Sequence, residues 1–576
     1  MQMNTSSEGL QSILEIVQNT PETEYQNVIV ERKDYEVMYH LSPVRSNLLS
    51  WLPIRETDCV LEVNAECGAY SGTLAELAAE VVCMERDAQM CEINRARNKG
   101  RTNLSYRIGG MDVLTDTDRE AFDWIIVTGE DLEKIAELHS YLKPSGTLVL
   151  AAANLFGEKY WAGVRRDPAA CSRKYLEKRL EESGYTDTRI YYPYPDHLFP
   201  MMIHSDAFLP SPGELHHNRR NFGEMRYEYF DETGAFDQIL KEDMYGAYAN
   251  SYLILAGGRE RRRKEREAIF VKYSDERSPE FAVRTDILAD NNGKRYVEKT
   301  AVLPAGISHL QHIEDCYRKL SERYRNSGLL VNVCSRDSRG LSLAYVEGRS
   351  LADVFKHSIQ QGRKEEAEDF LQKYIRFVRM DDTDPAERKE FAMTEQFREV
   401  FGDVTLPEHL QAGCGLDIDM IFPNLILDEN GWNLLDYEWT FDFPIPYHYV
   451  IYRALFYESL EQDGKEFVLD EWLAKVGITE AEVPVYEQME VSFQQYSRRG
   501  IVPTRDMQKL IGYPVISVPD MEHQIDDLNK EIHEISEKLY EKSVEAERYR
   551  VQLAAIEQTK LWKLRTKVRN LITGRT

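Results

Sequence analysis

The chain has no Cys-x-x-Cys pair: its eight cysteines lie scattered at Cys59, Cys67, Cys83, Cys91, Cys171, Cys316, Cys334 and Cys414. That spacing indicates neither a zinc knuckle nor a disulfide framework. There is no uninterrupted apolar run of roughly eighteen residues and no apolar core near the polar N-terminus, so neither a membrane-spanning helix nor a secretory signal is expected. Positive charge is in deficit. Seventy-one Lys and Arg stand against 98 Asp and Glu, a formal net charge of −27, which disfavours general nucleic-acid binding. A cytosolic protein is expected, with peripheral membrane contact left open. At 576 residues the chain exceeds one hydrophobic core and implies about three or four domains.

What is present falls into blocks. Residues 1–45 read as a polar, mixed extension. From 46 to 256, short apolar strands (Cys59–Val63, Val81–Glu85, Phe122–Val127, Gly146–Leu150) alternate with helical stretches such as Gly72–Leu77. This is the rhythm of an α/β doubly wound parallel sheet, and Ser251–Leu255 closes it. Residues 257–268, GGRERRRKEREA, mark a charged boundary. Strands near 269–274, 281–287 and 295–302, a helix from about Ser308 to Tyr324 and a mostly helical remainder to 515 suggest a small β lobe joined to a larger α lobe. In 521–559 apolar or small residues recur at intervals of three and four: Met521, Ile525, Leu528, Ile532, Ile535, Leu539, Ala546, Tyr549, Leu553 and Ile556. That is a coiled-coil seam, although a long helix packed on the body would fit too.

The first strand ends in Glu62-Val63-Asn64-Ala65-Glu66-Cys67-Gly68. A tight turn there brings backbone amides and a helix N-terminus to a ligand. Glu85 ends the next strand, where it can accept hydrogen bonds from a ribose diol. Met111-Asp112 and Thr128-Gly129 follow the third and fourth strands. These residues resemble the class I S-adenosylmethionine-dependent methyltransferases, whose first motif is an acid followed by three spaced glycines. Asn64 and Glu66 replace two of them, and Gly68 stands in place. The resemblance implies an S-adenosylmethionine site at Glu62, Asn64, Gly68, Glu85 and Asp112. His40, Asp112 and Tyr160 are candidates for a base. Leu41–Arg45, Lys159–Gly163 and Tyr191–Asp196 further resemble methyltransferases found with bacterial surface-polysaccharide genes.

A second constellation lies in the later block. Lys299, inside the alternating segment Tyr296–Val302, is costly to bury unpaired. Glu314 on the next helix is its expected partner, though a surface ion pair would also account for the two. Asp419, Asn424 five residues on and Asp436 twelve further have the types and order of a phosphoryl-transfer centre. Asp419 would be the base, and Asn424 and Asp436 would hold Mg2+. Residues 425–427 and 432–435 read as paired strands around a turn at 428–431 that presents Asp436. No glycine-rich loop joins the first two strands. The connection Ser274–Glu280 is polar and acidic and is expected to hold phosphates less tightly.

Tyr345–Leu351 resembles the hinge of aminoglycoside phosphotransferases and related kinases, which implies ATP with its adenine at Val346 to Gly348. Asp417 stands where those kinases frequently have histidine. The tail 560–576 carries Lys560, Lys563, Arg565, Lys567, Arg569 and Arg575 without an acid, interleaved with Leu561, Trp562 and Leu564. It suits an amphipathic helix at an anionic membrane surface, or a basic end docked on protein.

The order of blocks resembles bifunctional methyltransferase–kinase proteins that terminate bacterial O-polysaccharide chains. It implies a methyltransferase-like domain, a two-lobed kinase-like domain and a C-terminal coiled coil. It also implies a lipid-linked glycan or sugar substrate, self-association through the coiled coil and a glycosyltransferase partner. A non-catalytic scaffold with degenerate domains and a small-molecule kinase are the rival readings.

Overall fold

Helices open the chain where composition reads as a polar extension. The computed structural model describes residues 6–129, 131–215, 226–258, 265–274, 276–380, 389–460, 467–512 and 515–574. Helices α1 (Ser7–Asn19), α2 (Tyr25–Arg32) and α3 (Tyr35–Leu41) precede the first strand. Ser6 Oγ caps α1 by accepting the Gly9 N–H, and Asp34 caps α3 by accepting the Glu36 and Val37 N–H groups. Leu10, Ile13, Ile29, Val37 and Leu41 are buried in one cluster with Cys67, Ile93 and Phe199. The extension is therefore a helical cover. Its outward charged faces dilute the apolar stripe that holds it down.

The strands are β1 (Cys59–Val63), β2 (Glu80–Glu85), β3 (Leu104–Ile108), β4 (Phe122–Thr128), β5 (Leu142–Ala153), β6 (Thr186–Tyr194) and β7 (Met202–Ser205). After β8 (Arg226–Glu228) come β9 (Ser251–Gly257), β10 (Arg266–Tyr273), β11 (Val283–Asp290) and β12 (Arg295–Ala301). Strands β3-β2-β1-β4-β5 run parallel in that spatial order, and β9 lies antiparallel beside β5. Both faces of the parallel strands are covered, which is why Val60, Leu61 and Val63 are all apolar and buried, with Glu62 buried between them.

The sheet does not stop at the expected boundary. β6 pairs with β9 and β7, and β7 pairs with β10 through Met202–Lys272 and Ile203–Val271. From there β11, β12, Leu341–Ala344 and Cys334–Arg336 complete thirteen strands. The block of short strands thus continues the doubly wound sheet in residues 1–224 and 232–514, one compact unit. Part of the charged run 257–268 lies outside the described residues.

The helix Ile307–Arg323 packs on β12, and helices Leu351–Gln360, Lys364–Arg379, Tyr447–Leu460 and Val483–Arg498 surround a second core that includes Phe355, Tyr374, Phe422, Trp439 and Phe493. The expected hairpin is there as Leu425–Asp428 and Gly431–Leu434.

The second unit is Met225–Asp231 with Val515–Thr576. In it Val515–Ser517 pairs with β8, and one helix runs from Val518 to Gln558, 41 residues, about 60 Å. No residue of this helix is buried, and Ile525, Leu528, Ile532, Ile535 and Leu539 are all more than half exposed. Thr559 breaks it, and a second helix covers Lys560–Thr573. Among the described residues no helix is long and apolar enough to cross a membrane.

Candidate active sites

The first candidate site is the crevice at the carboxyl ends of β1 and β2. The chain leaves β1 through a tight turn before α4 (Ser71–Leu77), and Asn64, Glu66 and Gly68 all take positive φ, 58°, 47° and 78°. Glycine adopts that backbone freely and asparagine tolerates it; a glutamate costs about 1 kcal/mol. A Cβ at Gly68 would lie 2.4 Å from Asn94 Oδ1, so this position demands glycine. Glu85 closes the turn. Its Oε2 accepts the Glu66 N–H at 2.8 Å, and its Oε1 accepts the Asp87 N–H at 2.9 Å at the start of α5 (Ala88–Arg97). Each carboxylate oxygen keeps a second lone pair for a ligand hydroxyl. The buried Asn64 Nδ2 has no hydrogen-bond partner among the described residues.

Over the turn, α3 and the 3-10 turn Pro43–Leu48 bring Tyr39 and Arg45 to Glu66. Tyr39 donates its hydroxyl to Glu66 Oε1 at 3.0 Å, and Arg45 Nη1 lies 3.4 Å from Glu66 Oε2. Arg45 is 2% exposed, and its guanidinium lies 4.2 and 4.9 Å from the ring centres of Tyr39 and Tyr70. Neither Tyr39 nor Arg45 stood in the expected ligand set. The local signal for Arg45 was its place in Leu41–Arg45.

Glu62 needs correcting. Its carboxylate does not face the crevice: Oε2 accepts the Ser71 hydroxyl at 2.6 Å and lies 3.4 Å from Cys83 Sγ. It ties β1 to α4. Burial pushes its pKa from 4.5 up to about 7. The folded state therefore holds a proton that the unfolded chain releases above 4.5, and the stability it contributes is lost as pH rises between those values. Relative to Glu62→Gln, the wild type should lose about 3 kcal/mol of unfolding free energy across that window. Urea unfolding of both proteins at pH 4.5 and 7.5 checks this; parallel curves would refute it. Asp112 is exposed after β3 and accepts the Gly110 N–H at 3.0 Å. Burial lowers the His40 pKa to about 3, so the ring is neutral.

The second candidate site lies between the antiparallel strands and the helical lobe. Lys299, on β12, points inward and is ion-paired with Asp436. Burial opposes its charge, and Asp436 and Glu438 together hold its pKa above the ordinary value. The expected Lys299–Glu314 pair gives way to a different one. Glu314 Oε2 accepts from Arg336 Nε at 3.0 Å and its Oε1 lies 2.9 Å from Arg318 Nη2, which places it on the outer side of its helix. The acids facing Lys299 come from Asp436-Tyr437-Glu438 instead. Glu438 Oε1 binds Arg277 at 2.6 Å, and Oε2 lies 3.2 Å from His309 Nε2.

Asp419, Asn424 and Asp436 converge through the backbone. Asn424 Nδ2 donates to the Asp419 carbonyl at 2.8 Å, and the Leu435 N–H donates to the Asn424 carbonyl at 2.8 Å. Asp436 adopts φ 49° at the hairpin exit, a strained backbone of the kind found at ligand sites. Asp417 accepts the Asp419 N–H at 3.0 Å and so holds the loop, and burial pushes its pKa well up. Burial also raises the Asp419 pKa, opposed by Arg453, whose Nη2 lies 3.0 Å from Asp419 Oδ1. Val346 is half-buried and Gly348 is exposed on the segment between Leu341–Ala344 and the helix Leu351–Gln360. A Cβ at Gly348 would meet the Leu427 carbonyl at 2.3 Å, so the crossing needs glycine.

The acidic connection between β10 and β11 sorts its charges. Glu276 pairs outward with Arg505 at 3.1 Å, and Glu280 pairs with Arg499 at 2.5 Å. Arg277 turns inward to Glu438 and lies 5.2 Å from the Trp439 ring centre. The connection was expected to hold phosphates less tightly, and among its described residues Arg277 brings a cation to Glu438. Arg277 was legible as the sole cation of that connection. Arg453, on a distant helix, had no local signal.

No protein-family model matches the chain. A protein-L-isoaspartate O-methyltransferase of Methylorubrum extorquens (strain PA1) is 32% identical over 120 residues, 21% of this chain and 52% of that protein. The chain thus spans about half the length of that curated relative. Among solved structures, phosphoethanolamine N-methyltransferase 1 of Haemonchus contortus is similar at 20% identity and a TM-score of 0.20, over 30% of this chain and 37% of that one. The Haloferax volcanii complex of the Trm112 activator with a methyltransferase matches at 14% identity and a TM-score of 0.27, over 42% of this chain and 100% of that one. With its strand order, the N-terminal part has a class I methyltransferase-like α/β fold.

Proposed function

We propose that the chain is a bifunctional enzyme, with an S-adenosylmethionine-dependent methyltransferase in its first half and an ATP- and Mg2+-dependent sugar or glycan kinase in its second. The observation that supports the kinase reading is the proximity of Lys299, Arg277, Asp419, Asn424 and Asp436: Lys299 pairs with Asp436, Asn424 bonds to Asp419, and Arg277 interacts with both aspartates. Lys299 and Arg277 are the cations for nucleotide phosphates, and Asn424 and Asp436 are the oxygen ligands for Mg2+. Asp419 would take the proton of an acceptor hydroxyl as that oxygen attacks the γ-phosphorus in line and the bond to the β,γ-bridging oxygen breaks, releasing ADP. Among the described residues no group of three or more His, Cys, Asp or Glu is arranged to hold a metal ion, so phosphate and water oxygens would complete the coordination.

The first crevice fits S-adenosylmethionine by its polar groups and space: a buried arginine to donate to a carboxylate, Glu85 to accept from ribose hydroxyls, the orphaned Asn64 Nδ2 as a further donor and a glycine at 68 that no side chain could replace. When bound, the cofactor supplies an electrophilic methyl group. The acceptor would be a glycan or phosphoglycan oxygen, with Tyr160 a candidate base. The exposed apolar row of Val518–Gln558 supports self-association as a coiled coil. The basic helix Lys560–Thr573 supports contact with the inner face of the cell membrane. A lipid-linked glycan substrate, a glycosyltransferase partner and a role in surface-polysaccharide synthesis follow from the family resemblance.

Calorimetric titration tests the kinase half. Wild type should bind ATP in the presence of Mg2+, and Arg277→Ala should bind about tenfold more weakly, the effect of losing one charge-assisted contact. No binding by the wild type would overturn the kinase reading. Equal binding would remove Arg277 from it.

A further inference from the structure

Glycine is the residue that lets backbone approach a ligand closely, and this turn carries a glutamate at 66 on left-handed backbone, φ 47°. The strain is retained although the residue is buried. Its carboxylate lies where the buried Arg45 can reach it. Arg45 donates from Nη1 to the Tyr39 carbonyl at 3.0 Å and from Nη2 to the Tyr70 hydroxyl at 3.3 Å, and its Nε has no hydrogen-bond partner among the described residues. A guanidinium matches a carboxylate as a two-pronged fork with bonds of about 2.7–2.9 Å. Glu66 meets it with one oxygen at 3.4 Å, because the Tyr39 hydroxyl engages the other at 3.0 Å. The pair is long, one-sided and leaves a buried donor unsatisfied.

We infer that Glu66 is an internal carboxylate that occupies Arg45 in place of an incoming amino-acid carboxylate, so that this chain binds its cofactor by exchange and with reduced affinity. This rests on the proposed S-adenosylmethionine reading of the crevice. The ligand class is an α-amino-acid carboxylate carried on a nucleoside. Binding must first separate Glu66 from Arg45, and Glu66 then shares a desolvated space with a second negative charge. The ligand's own ammonium is the group that Glu66 can hold once released. Asn64, the other departure from glycine, does not compete, because its amide brings no charge. The substitution at 66 therefore tunes affinity and leaves the rest of the turn in place, since the Glu66 N–H, not its side chain, is what Glu85 holds.

Titration of the full chain with S-adenosylhomocysteine, followed by heat, tests the exchange. Glu66→Gly should bind about tenfold or more tightly than wild type, since it removes the competing carboxylate. Glu66→Gln keeps the shape and removes only the charge. It too should bind more tightly, which guards against a glycine variant that folds poorly. Arg45→Met should abolish the gain when combined with Glu66→Gln. If wild type binds and both single variants bind equally or more weakly, the exchange is wrong while the cofactor reading stands. If neither wild type nor either variant binds, the cofactor reading falls and the inference with it.

Discussion

Asp419→Asn should leave ATP binding within about twofold of wild type and lower phosphoryl transfer by about a thousandfold, the scale of losing a general base. The carboxylate sits on a loop fixed at three points: Asp417 accepts its N–H, Asn424 donates to its carbonyl, and Arg453 holds Oδ1 at 3.0 Å. Asparagine keeps the volume and can still face the acceptor hydroxyl, but it cannot take the proton. Burial holds the Asp419 pKa above the ordinary carboxylate value of 3.8. Transfer by the wild type should therefore fall as pH drops through that raised value and be full above it. Labelled-ATP transfer to a sugar acceptor, measured beside nucleotide titration, reads both quantities. Equal transfer by the two proteins would mean that Asp419 is not the base.

Arg453→Leu should cost about 3–5 kcal/mol of unfolding free energy, the range for removing one partner of a buried ion pair. Arg453 is 2% exposed, and its guanidinium reaches three groups at once: Asp419 Oδ1, Glu490 and the Ile418 carbonyl, the last at 3.0 Å. Leucine would leave two carboxylates facing each other in a desolvated core. Arg453→Lys should recover only part of the loss, because a single ammonium cannot reproduce the planar fork. Urea unfolding gives the stability, and transfer assays should show a fall in kcat because Asp419 loses its hold. A loss below about 1 kcal/mol would mean that the carboxylates find water and that Arg453 is dispensable.

Local signals carried the elements well. Cys59–Val63 and Phe122–Val127 are legible as strands because a parallel strand buried on both faces is mostly apolar, and each carries a single acid, Glu62 and Asp123. The hairpin around 428–431 formed because turn residues stand between two short apolar segments. The Asp419–Asn424–Asp436 cluster was legible because its spacing belongs to one loop and one hairpin. The polar extension was misread because amphipathic helices carry their charged faces outward and their apolar stripe is thin.

The sequence by itself determined the first strands of the parallel sheet, the hairpin around 428–431, the long C-terminal helix, the order of the two blocks and the chemistry-bearing residues within a dozen positions of one another. Those follow from hydrophobic periodicity and short-range turn chemistry, which act along the chain. Only the tertiary structure decided which charges meet. It placed Glu438 rather than Glu314 opposite Lys299, turned Glu62 away from the crevice, set Arg45 on Glu66 and Arg453 on Asp419, and ran one sheet through both blocks by pairing β7 with β10. Ion pairs and strand edges are satisfied by whichever partner the fold brings near, and several acids and arginines were equally available on paper. Burial then selects among them, because a desolvated charge persists only beside its opposite.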